Sequence, residues 1–286
     1  MAKLAIMSDL HIDLNHFGRF EIESLRELLI EEQIEHLHLA GDIANDFQET
    51  SLPFIRELQK YLTVTYNLGN HDMLHLKEKE IEQLDFQLYD LGQKQLLAFH
   101  GWYDYSFSDD ESLEVIVKRK KMFWFDRRLE RPFDDQTLTE QILKKLETSL
   151  QALDGKNAIV AMHFVPHRRF ILTHERFKPF NSFLGSQAFH EVFQRYGASE
   201  VVFGHAHRRF GRVVLDGVTY HSHPLGYKRE WQLSIDFVQK YPEYNPTNTW
   251  HLAKRYNAIK DLASFKAHYK QHFKEELRQA MTVFEV

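Results

Sequence analysis

The chain has 286 residues, of which 43% are hydrophobic and 27% are charged, and its formal net charge is −5. This mixture is typical of a soluble globular protein with a sizeable core. The absence of cysteine excludes disulfides and thiolate metal sites, and the net negative charge argues against a broad nucleic-acid surface. No apolar run is long enough to cross a membrane, and the first residues lack a signal-peptide pattern. We therefore expect a cytoplasmic protein without membrane association.

The first hundred residues alternate short apolar runs with amphipathic segments, which is typical of a fold that mixes strands with covering helices. The apolar runs predict strands over residues 4–7, 36–40, 62–68 and 95–99. Helical periodicity predicts helices over residues 20–34, 52–62 and 77–84. His36 and His38 alternate with leucines in the second strand, so we interpret them as structural.

The rhythm of strands and helices breaks over residues 106–132 and then resumes. Within this insert, Lys118 to Arg131 is basic with interleaved aromatic residues, which suits contacts with phosphates and bases. A solvated helix whose aromatic residues pack inward is an equal alternative. Later patterns predict helices over 138–153 and 187–196, strands over 158–162, 201–203, 212–215, 218–222 and 232–238, and a helical C-terminal extension over 253–281. We find no repeat or linker, so the simplest prediction is a single domain over residues 1–286.

Side chains that can bind metal ions follow five of the predicted strands. They are Asp9 and His11, Asp42, Asn70, His163, and His205 with His207. Ligands in sheets with helical connections bind beyond the carboxyl ends of the strands, so these side chains can converge. Seven oxygen and nitrogen donors suit two divalent ions, and a carboxylate such as Asp42 can bridge them. Each motif taken alone also fits a turn, a helix cap or a surface histidine.

The motifs together resemble those of the calcineurin-like metallophosphoesterase superfamily. Asp9-x-His11, Gly41-Asp42, Gly69-Asn70-His71-Asp72, His163 and Gly204-His205-x-His207 occur in the order of that family, across about residues 4–207. The resemblance implies an α/β (α+β) fold, a four-layer αββα sandwich in which two mixed sheets are flanked by helices.

The resemblance also implies a division of roles. Asp9, His11, Asp42 and His207 would hold one divalent ion, while Asp42, Asn70, His163 and His205 would hold a second, with manganese, iron or zinc as the metals. His71 would be the acid–base residue beside the substrate phosphate. Many relatives carry an aspartate three residues after the bridging one to support this histidine, but here that position is Asn45.

These features predict a phosphoesterase for a small substrate, possibly nucleotide-like, cleaved by in-line attack of a hydroxide that bridges two ions. A phosphodiester is the favoured substrate, with a phosphomonoester or a nucleic acid as alternatives for the same site. Arg127, Arg128 and Trp102 are the candidate substrate-binding residues. A non-catalytic binding module on the same fold is the alternative from another class, although such relatives lose metal ligands and this chain keeps them. The sequence does not define an oligomeric state.

Overall fold

The computed structural model describes residues 2–109, 111–153 and 157–286. The strands are β1 (Lys3–Met7), β2 (His36–Ala40), β3 (Thr63–Asn67), β4 (Gln87–Asp90), β5 (Gln95–Phe99), β6 (Ala158–Met162), β7 (Glu200–Val202), β8 (Gly211–Leu215), β9 (Val218–Ser222) and β10 (Thr282–Glu285). They form a four-stranded sheet in the order β10-β1-β2-β3 and a six-stranded sheet in the order β4-β5-β6-β7-β9-β8. Both sheets are mixed, because their central strands are parallel while β10, β4 and β8 pair antiparallel with their neighbours.

The helices are α1 (Arg19–Glu31), α2 (Leu52–Leu58), α3 (Glu78–Leu84), α4 (Leu113–Phe123), α5 (Asp135–Ala152), α6 (Ala188–Tyr196), α7 (Gln232–Lys240), α8 (Leu252–Ile259) and α9 (Ala263–Gln279). Helix α1 packs against α9, which also packs against α7, and α5 packs against α6. Two mixed sheets flanked by helices are the αββα sandwich that the resemblance implied, so that prediction is confirmed. In the described part of the chain, no helix combines the length and the hydropathy that crossing a membrane requires.

The core between the two sheets is built from alternate residues of the strands. Leu4 and Ile6 of β1 pack with Leu96 and Ala98 of β5 in this inner cluster. The intervening residues, such as Ala5 of β1, belong to the outer clusters under the helices. Because side chains alternate across a strand, apolar residues on both faces mark these strands as buried on both sides.

Several sequence predictions need correction. Residues 232–238, predicted as a strand, lie in helix α7, where burial of Leu233, Phe237 and Val238 follows helical spacing. Strands β4 and β10 were not predicted. The extension predicted as helical over 253–281 consists of two helices, α8 and α9, with a break between them.

The basic and aromatic insert also has a definite local structure. Helix α4 ends at Phe123 and is followed by a single 3₁₀ turn, Phe125–Arg128. The charged residues of this stretch are mostly exposed, whereas Asp126 is buried. A largely solvated helix is therefore followed by a turn that reaches inward, and contact of this stretch with phosphates or bases stays a prediction.

Glu276 of α9 links the C-terminal extension to the rest of the fold. Its buried carboxylate accepts hydrogen bonds from the backbone N–H groups of Gln232 and Leu233, at 3.1 and 2.8 Å, and so caps the start of α7. It also pairs with the Arg209 guanidinium at 2.6 Å. Since Arg209 follows shortly after His207, this contact ties α9 to a loop that carries a candidate ligand.

We expect Glu276→Ala to destabilise the protein by about 3 kcal/mol, because the partly buried Arg209 guanidinium loses its carboxylate partner and two backbone N–H groups lose their acceptor. Glu275→Ala provides the matched control, since Glu275 is exposed on the same helix and forms a surface pair with Arg278. We expect that variant to change the free energy of unfolding by less than about 0.5 kcal/mol. Urea denaturation measures both, and equal values for the two variants would contradict this role of Glu276.

Candidate metal centre

The candidate ligands lie where strands of both sheets end. Asp9 and His11 follow β1, Asp42 follows β2, and Asn70 follows β3 in the smaller sheet. His163 follows β6, while His205 and His207 follow β7 in the larger sheet. The structure brings all seven predicted residues together at one end of the sandwich.

The backbone around the ligands adopts strained conformations. Five of the seven ligands have a positive φ, namely Asp9 (57°), His11 (42°), Asp42 (55°), His205 (66°) and His207 (48°). Such left-handed conformations are uncommon for residues other than glycine and are enriched at functional sites. The strain turns successive side chains inward at the point where each strand ends.

Two glycines allow the loops to approach each other closely. A Cβ atom on Gly69 would collide with the carboxylate and backbone of Asp42, and one on Gly204 would collide with the carboxylate of Asp9. The space left by each glycine is therefore filled by a carboxylate from a neighbouring loop. This explains why glycine precedes Asn70 and His205 in the sequence.

The first group of donors consists of Asp9, His11, Asp42 and His207, whose ligand atoms lie within 4.8 Å of one another. The Nε2 atoms of His11 and His207 are 2.9 Å apart, and His207 Nε2 lies 3.3 Å from Asp9 Oδ1. Two imidazole nitrogens at this separation need a proton or a cation between them. The side chains thus form a pocket for positive charge.

The second group consists of Asp42, His163 and His205, which meet the same 4.8 Å limit. His163 Nε2 lies 3.3 Å from Asp42 Oδ1, 3.2 Å from His205 Nδ1 and 3.1 Å from the Asn70 amide oxygen. Asn70 is therefore part of this group. The other carboxylate oxygen of Asp42 faces the first group, 3.6 Å from His11 Nε2. One carboxylate thus faces both groups.

Charges within the site shift the pKa values of its members. Burial alone would raise the pKa of Asp9, but the hydrogen bond from His207 and the nearby His163 lower it to about 2. Burial alone would lower the pKa of His163, yet Asp42 raises it to about 9. The buried carboxylates therefore attract positive charge, in the form of protons or metal ions, and metal binding competes with protonation.

The donor set fits divalent metal ions. Imidazole nitrogens with carboxylate and amide oxygens suit zinc, iron and manganese, and there is no thiolate to favour softer metals. In three of the histidines the ring nitrogen that points away from the site is held by an acceptor. His163 Nδ1 faces the Ala40 carbonyl at 3.3 Å, His205 Nε2 faces the Phe183 carbonyl at 3.1 Å, and His207 Nδ1 faces Glu230 at 3.0 Å. Such partners fix the ring orientation and the tautomer of a metal-binding histidine.

Asp126 of the insert supports the second group in the same way. Its Oδ1 accepts a hydrogen bond of 2.7 Å from the Asn70 amide nitrogen, which turns the amide oxygen towards His163. Its Oδ2 accepts a hydrogen bond of 2.9 Å from the Trp124 indole. The insert therefore contributes directly to the geometry of the site.

His71 lies beside the two groups of ligands, and Asn45 orients it. Its Nδ1 donates to Asn45 Oδ1 at 2.8 Å, and the Asn45 amide nitrogen donates to Asp13 at 2.7 Å. The second bond fixes which end of the Asn45 amide faces His71. The other ring nitrogen, Nε2, lies on the ligand side, 3.9 Å from Asp42 Oδ2. Asn45 therefore occupies the supporting position for which the sequence had offered no clear partner.

A row of four aromatic rings crosses the site. Phe125 stacks on His71 with the ring centres 3.8 Å apart, His71 meets the edge of His11 at 4.7 Å, and Tyr227 stacks on His11 at 4.6 Å. The Arg128 guanidinium lies over Phe125 at 5.0 Å, and the Arg229 guanidinium lies over Tyr227 at 4.2 Å. An arginine therefore stands at each end of the row.

Three other residues singled out in the sequence lie outside the two groups of donors. Trp102 is completely buried, and its indole donates to Asp135 at 2.8 Å, so its ring offers no surface to a substrate. Arg127 is exposed and donates to the Trp124 carbonyl at 2.8 Å. Asp72 is buried and accepts from the N–H groups of Ile43 and Gly69, so it joins the two loops on either side of the site.

Sequence reasoning missed Glu230, Asp126, Asp13 and Tyr227. Glu230 and Tyr227 lie in a segment without a metal-ligand pattern, and Asp126 was hidden among basic residues. Asp13 carried a weak signal, because it continues the alternation of Asp9 and His11. The others reach the site only through contacts between distant parts of the chain.

A sandwich whose strand ends gather two adjoining groups of His and Asp donors defines the class of metal-dependent phosphoesterases. The chain belongs to the calcineurin-like phosphoesterase family, whose model, Metallophos, matches residues 2–209. The resemblance inferred from the motifs is thereby confirmed.

Two solved structures are similar to the chain to different degrees. The phosphopantetheinyl hydrolase PptH from Mycobacterium tuberculosis aligns with a TM-score of 0.62 at 20% identity, over 81% of this chain and 92% of that chain. A dimetal phosphatase from Danio rerio aligns with a TM-score of 0.49 at 14% identity, over 78% of this chain and 87% of that chain. No curated protein sequence matches the chain. At 20% identity, the similarity to PptH establishes the fold alone.

We expect Asp42→Ala to lose both ions, because each group of ligands loses the carboxylate that the two share. Turnover should fall below detection while the fold survives. Elemental analysis of the purified variant measures the metal content, and Asp236→Ala on the exposed face of α7 is the control. An Asp42→Ala protein that still carries two ions per chain would show that Asp42 is not the bridge.

We expect Asp126→Ala to weaken one of the two ions selectively, since the Asn70 amide loses the acceptor that orients it. Loss of such a supporting contact typically costs about 10–100-fold in metal affinity. Asp126→Asn keeps one acceptor oxygen and should keep more of the affinity. Competition titrations with a chelator measure both sites, and unchanged affinities in Asp126→Ala would contradict this role.

Proposed function

We propose that the chain is a phosphoesterase that uses two divalent ions of manganese, iron or zinc and prefers phosphodiesters. The observation that carries this proposal is the position of Asp42. The two carboxylate oxygens of Asp42 face two separate groups of candidate ligands. His71 Nε2 lies 3.9 Å from one of these oxygens, Oδ2. In the proposal, Asp9, His11, Asp42 and His207 hold one ion, and Asp42, Asn70, His163 and His205 hold the other.

Two divalent ions in such a site supply stabilisation of the phosphate oxygens and a water with a lowered pKa. The remaining work falls to residues of the chain. The backbone N–H of His71 donates to Asp42 Oδ1 at 2.9 Å, and the N–H of His205 donates to Asp9 Oδ1 at 3.0 Å, so both carboxylates stay fixed. This preorganisation limits rearrangement of the site during the reaction.

His71 is the proposed acid. Since its Nδ1 donates to Asn45, a second proton on this ring resides at Nε2, which faces the ligand side. From there it is donated to the leaving oxygen. Phe125 and His11 hold the ring in place from two sides.

Two pairs of an aromatic ring and an arginine, which form opposite walls of the site, favour a diester. A phosphodiester carries two organic groups, and the site offers Phe125 with Arg128 on one side and Tyr227 with Arg229 on the other. Arg128, with the neighbouring Arg127, is proposed to contact groups beyond the scissile phosphate. A phosphomonoester would use one wall only.

The nuclease alternative has less support from the surface. Outside the basic stretch Lys118 to Arg131, Arg209 is paired with Glu276 and Arg168 lies 3.7 Å from Asp109. The substrate is therefore proposed to be a small phosphoester, for example a nucleotide-like one, and the cytoplasmic location stays a prediction. A hydrolysis screen of diesters, monoesters and nucleotides with added Mn²⁺ tests the proposal. A phosphopantetheinyl ester belongs in the screen, because the structure that aligns with a TM-score of 0.62 is that of a phosphopantetheinyl hydrolase.

We expect His71→Ala to keep both ions and to lose activity according to the leaving group. A general acid typically contributes about 10²–10⁴-fold where the leaving group needs a proton. Alkyl esters should therefore lose far more activity than nitrophenyl esters, because nitrophenolate leaves without protonation. The measurement is kcat/KM on both types of ester, with the metal content checked.

His75→Ala is the matched control for this experiment, because His75 is exposed four residues further on. It should leave both rates unchanged. Equal losses on alkyl and nitrophenyl esters in His71→Ala would rule out the acid role and leave His71 as a residue that positions the phosphate.

A further inference from the structure

A cleft of about 620 Å³ opens beside the candidate metal centre. One of its walls is built from residues that follow the part of the chain matched by the family model. Its lining includes the Leu14–His16 loop, the segment Tyr227–Arg229, and residues of helix α8 and the turn after it. Tyr227 belongs both to this cleft and to the metal centre, since its ring centre lies 4.6 Å from those of His11 and His207. The cleft is therefore directly adjacent to the candidate metal ligands.

The wall of the cleft is held rigidly against the metal centre. The Asn15 amide nitrogen donates to the carbonyls of Leu10 and Gly226, at 2.8 and 2.9 Å, and its oxygen accepts from the N–H of Lys228 at 3.0 Å. Glu230 accepts from the N–H of Tyr227 at 3.0 Å through the same oxygen that faces His207. A group bound in this cleft thus has a fixed position relative to the ligands.

The charge of the cleft is positive. Lys228, Arg229 and Lys260 line it, against one acidic residue, Asp261. Within the described part of the chain, Arg229 forms an ion pair with Glu230 at a distance of 3.5 Å. The Arg229 guanidinium is half-exposed and keeps further donors for a ligand. The ammonium of Lys228 lies over the rings of Trp231 and Tyr269, so Arg229 and the exposed Lys260 are the groups available for direct contact.

We propose that this cleft is a subsite for an anionic group, a carboxylate or a phosphate, carried by the substrate on a short linker beyond the scissile phosphate. Arg229 and Lys260 bind the anion, while Tyr227 and Tyr256 flank the linker. A guanidinium with free donors binds either anion through two parallel hydrogen bonds. The inference rests on the proposed function for the position of the scissile phosphate, and it narrows the substrate to a diester with a second negative charge.

Calorimetric titration of the Mn²⁺-loaded protein tests the subsite without requiring hydrolysis. The probes are butyl phosphate and 3-carboxypropyl phosphate, which differ only in the terminal group, together with propane-1,3-diol bisphosphate. The carboxypropyl ester or the bisphosphate should bind at least about tenfold tighter than the butyl ester, in line with hydrogen bonds between charged groups. The tighter of the two identifies the anion that the cleft takes.

Arg229→Gln and Lys260→Gln should each weaken the preference for a terminal anion. The ratio of the dissociation constant of butyl phosphate to that of the preferred anionic probe should then fall towards one. Lys254→Gln, on the exposed surface of α8 and outside the cleft, should leave the ratio as in the wild type. Equal binding of the probes with and without a terminal anion to the wild type, or binding of none of them, would overturn the proposal.

Hydrolysis of the p-nitrophenyl diesters of the butyl and carboxypropyl groups separates this inference from the proposed function. A preference in binding without hydrolysis of either diester would contradict the phosphoesterase activity and leave the subsite supported. Hydrolysis of both diesters with equal kcat/KM, together with equal binding of the monoesters, would contradict the subsite alone.

Discussion

The Asp42 carboxylate is buried between two groups of histidines, and the surrounding structure is arranged to keep it there. A buried charge of this kind is tolerable only when it is paired and hydrogen-bonded. One oxygen faces His163 and accepts from the His71 N–H, while the other faces His11. Gly69 leaves the space that the carboxylate occupies. The two sheets end at this point, so the sandwich itself positions both groups of ligands.

The segment after residue 209 completes the site although the family model does not cover it. Glu230 orients His207, and Tyr227 packs on His11 and His207. Glu276 fixes both the start of α7 and Arg209, so helix α9 holds this segment against the loop of His207. The part of the fold that the family model covers thus supplies the candidate metal ligands, while the C-terminal part orients His207 and forms one wall of the adjacent cleft.

The convergence of the seven candidate ligands could be predicted from sequence because each follows an apolar strand, and strand ends converge in such folds. The supporting residues could not, since the pairs Asn70–Asp126 and His207–Glu230 join distant parts of the chain. Helix α7 was mistaken for a strand because Leu233, Ile235 and Phe237 alternate. In the structure Ile235 is only partly buried, and helical neighbours of Leu233 and Phe237 share the buried face. Glu276 of α9 caps the start of α7 and stabilises the helix despite the local alternation of apolar residues.

We propose that the Asp42 carboxylate joins two metal ions, and electron paramagnetic resonance of the Mn²⁺-loaded protein detects such a bridge. Two Mn²⁺ ions that share a bridging ligand are exchange-coupled, so the wild-type protein should give the spectrum of a coupled pair at two ions per chain. The spectrum of isolated, uncoupled Mn²⁺ at that same loading would contradict the account.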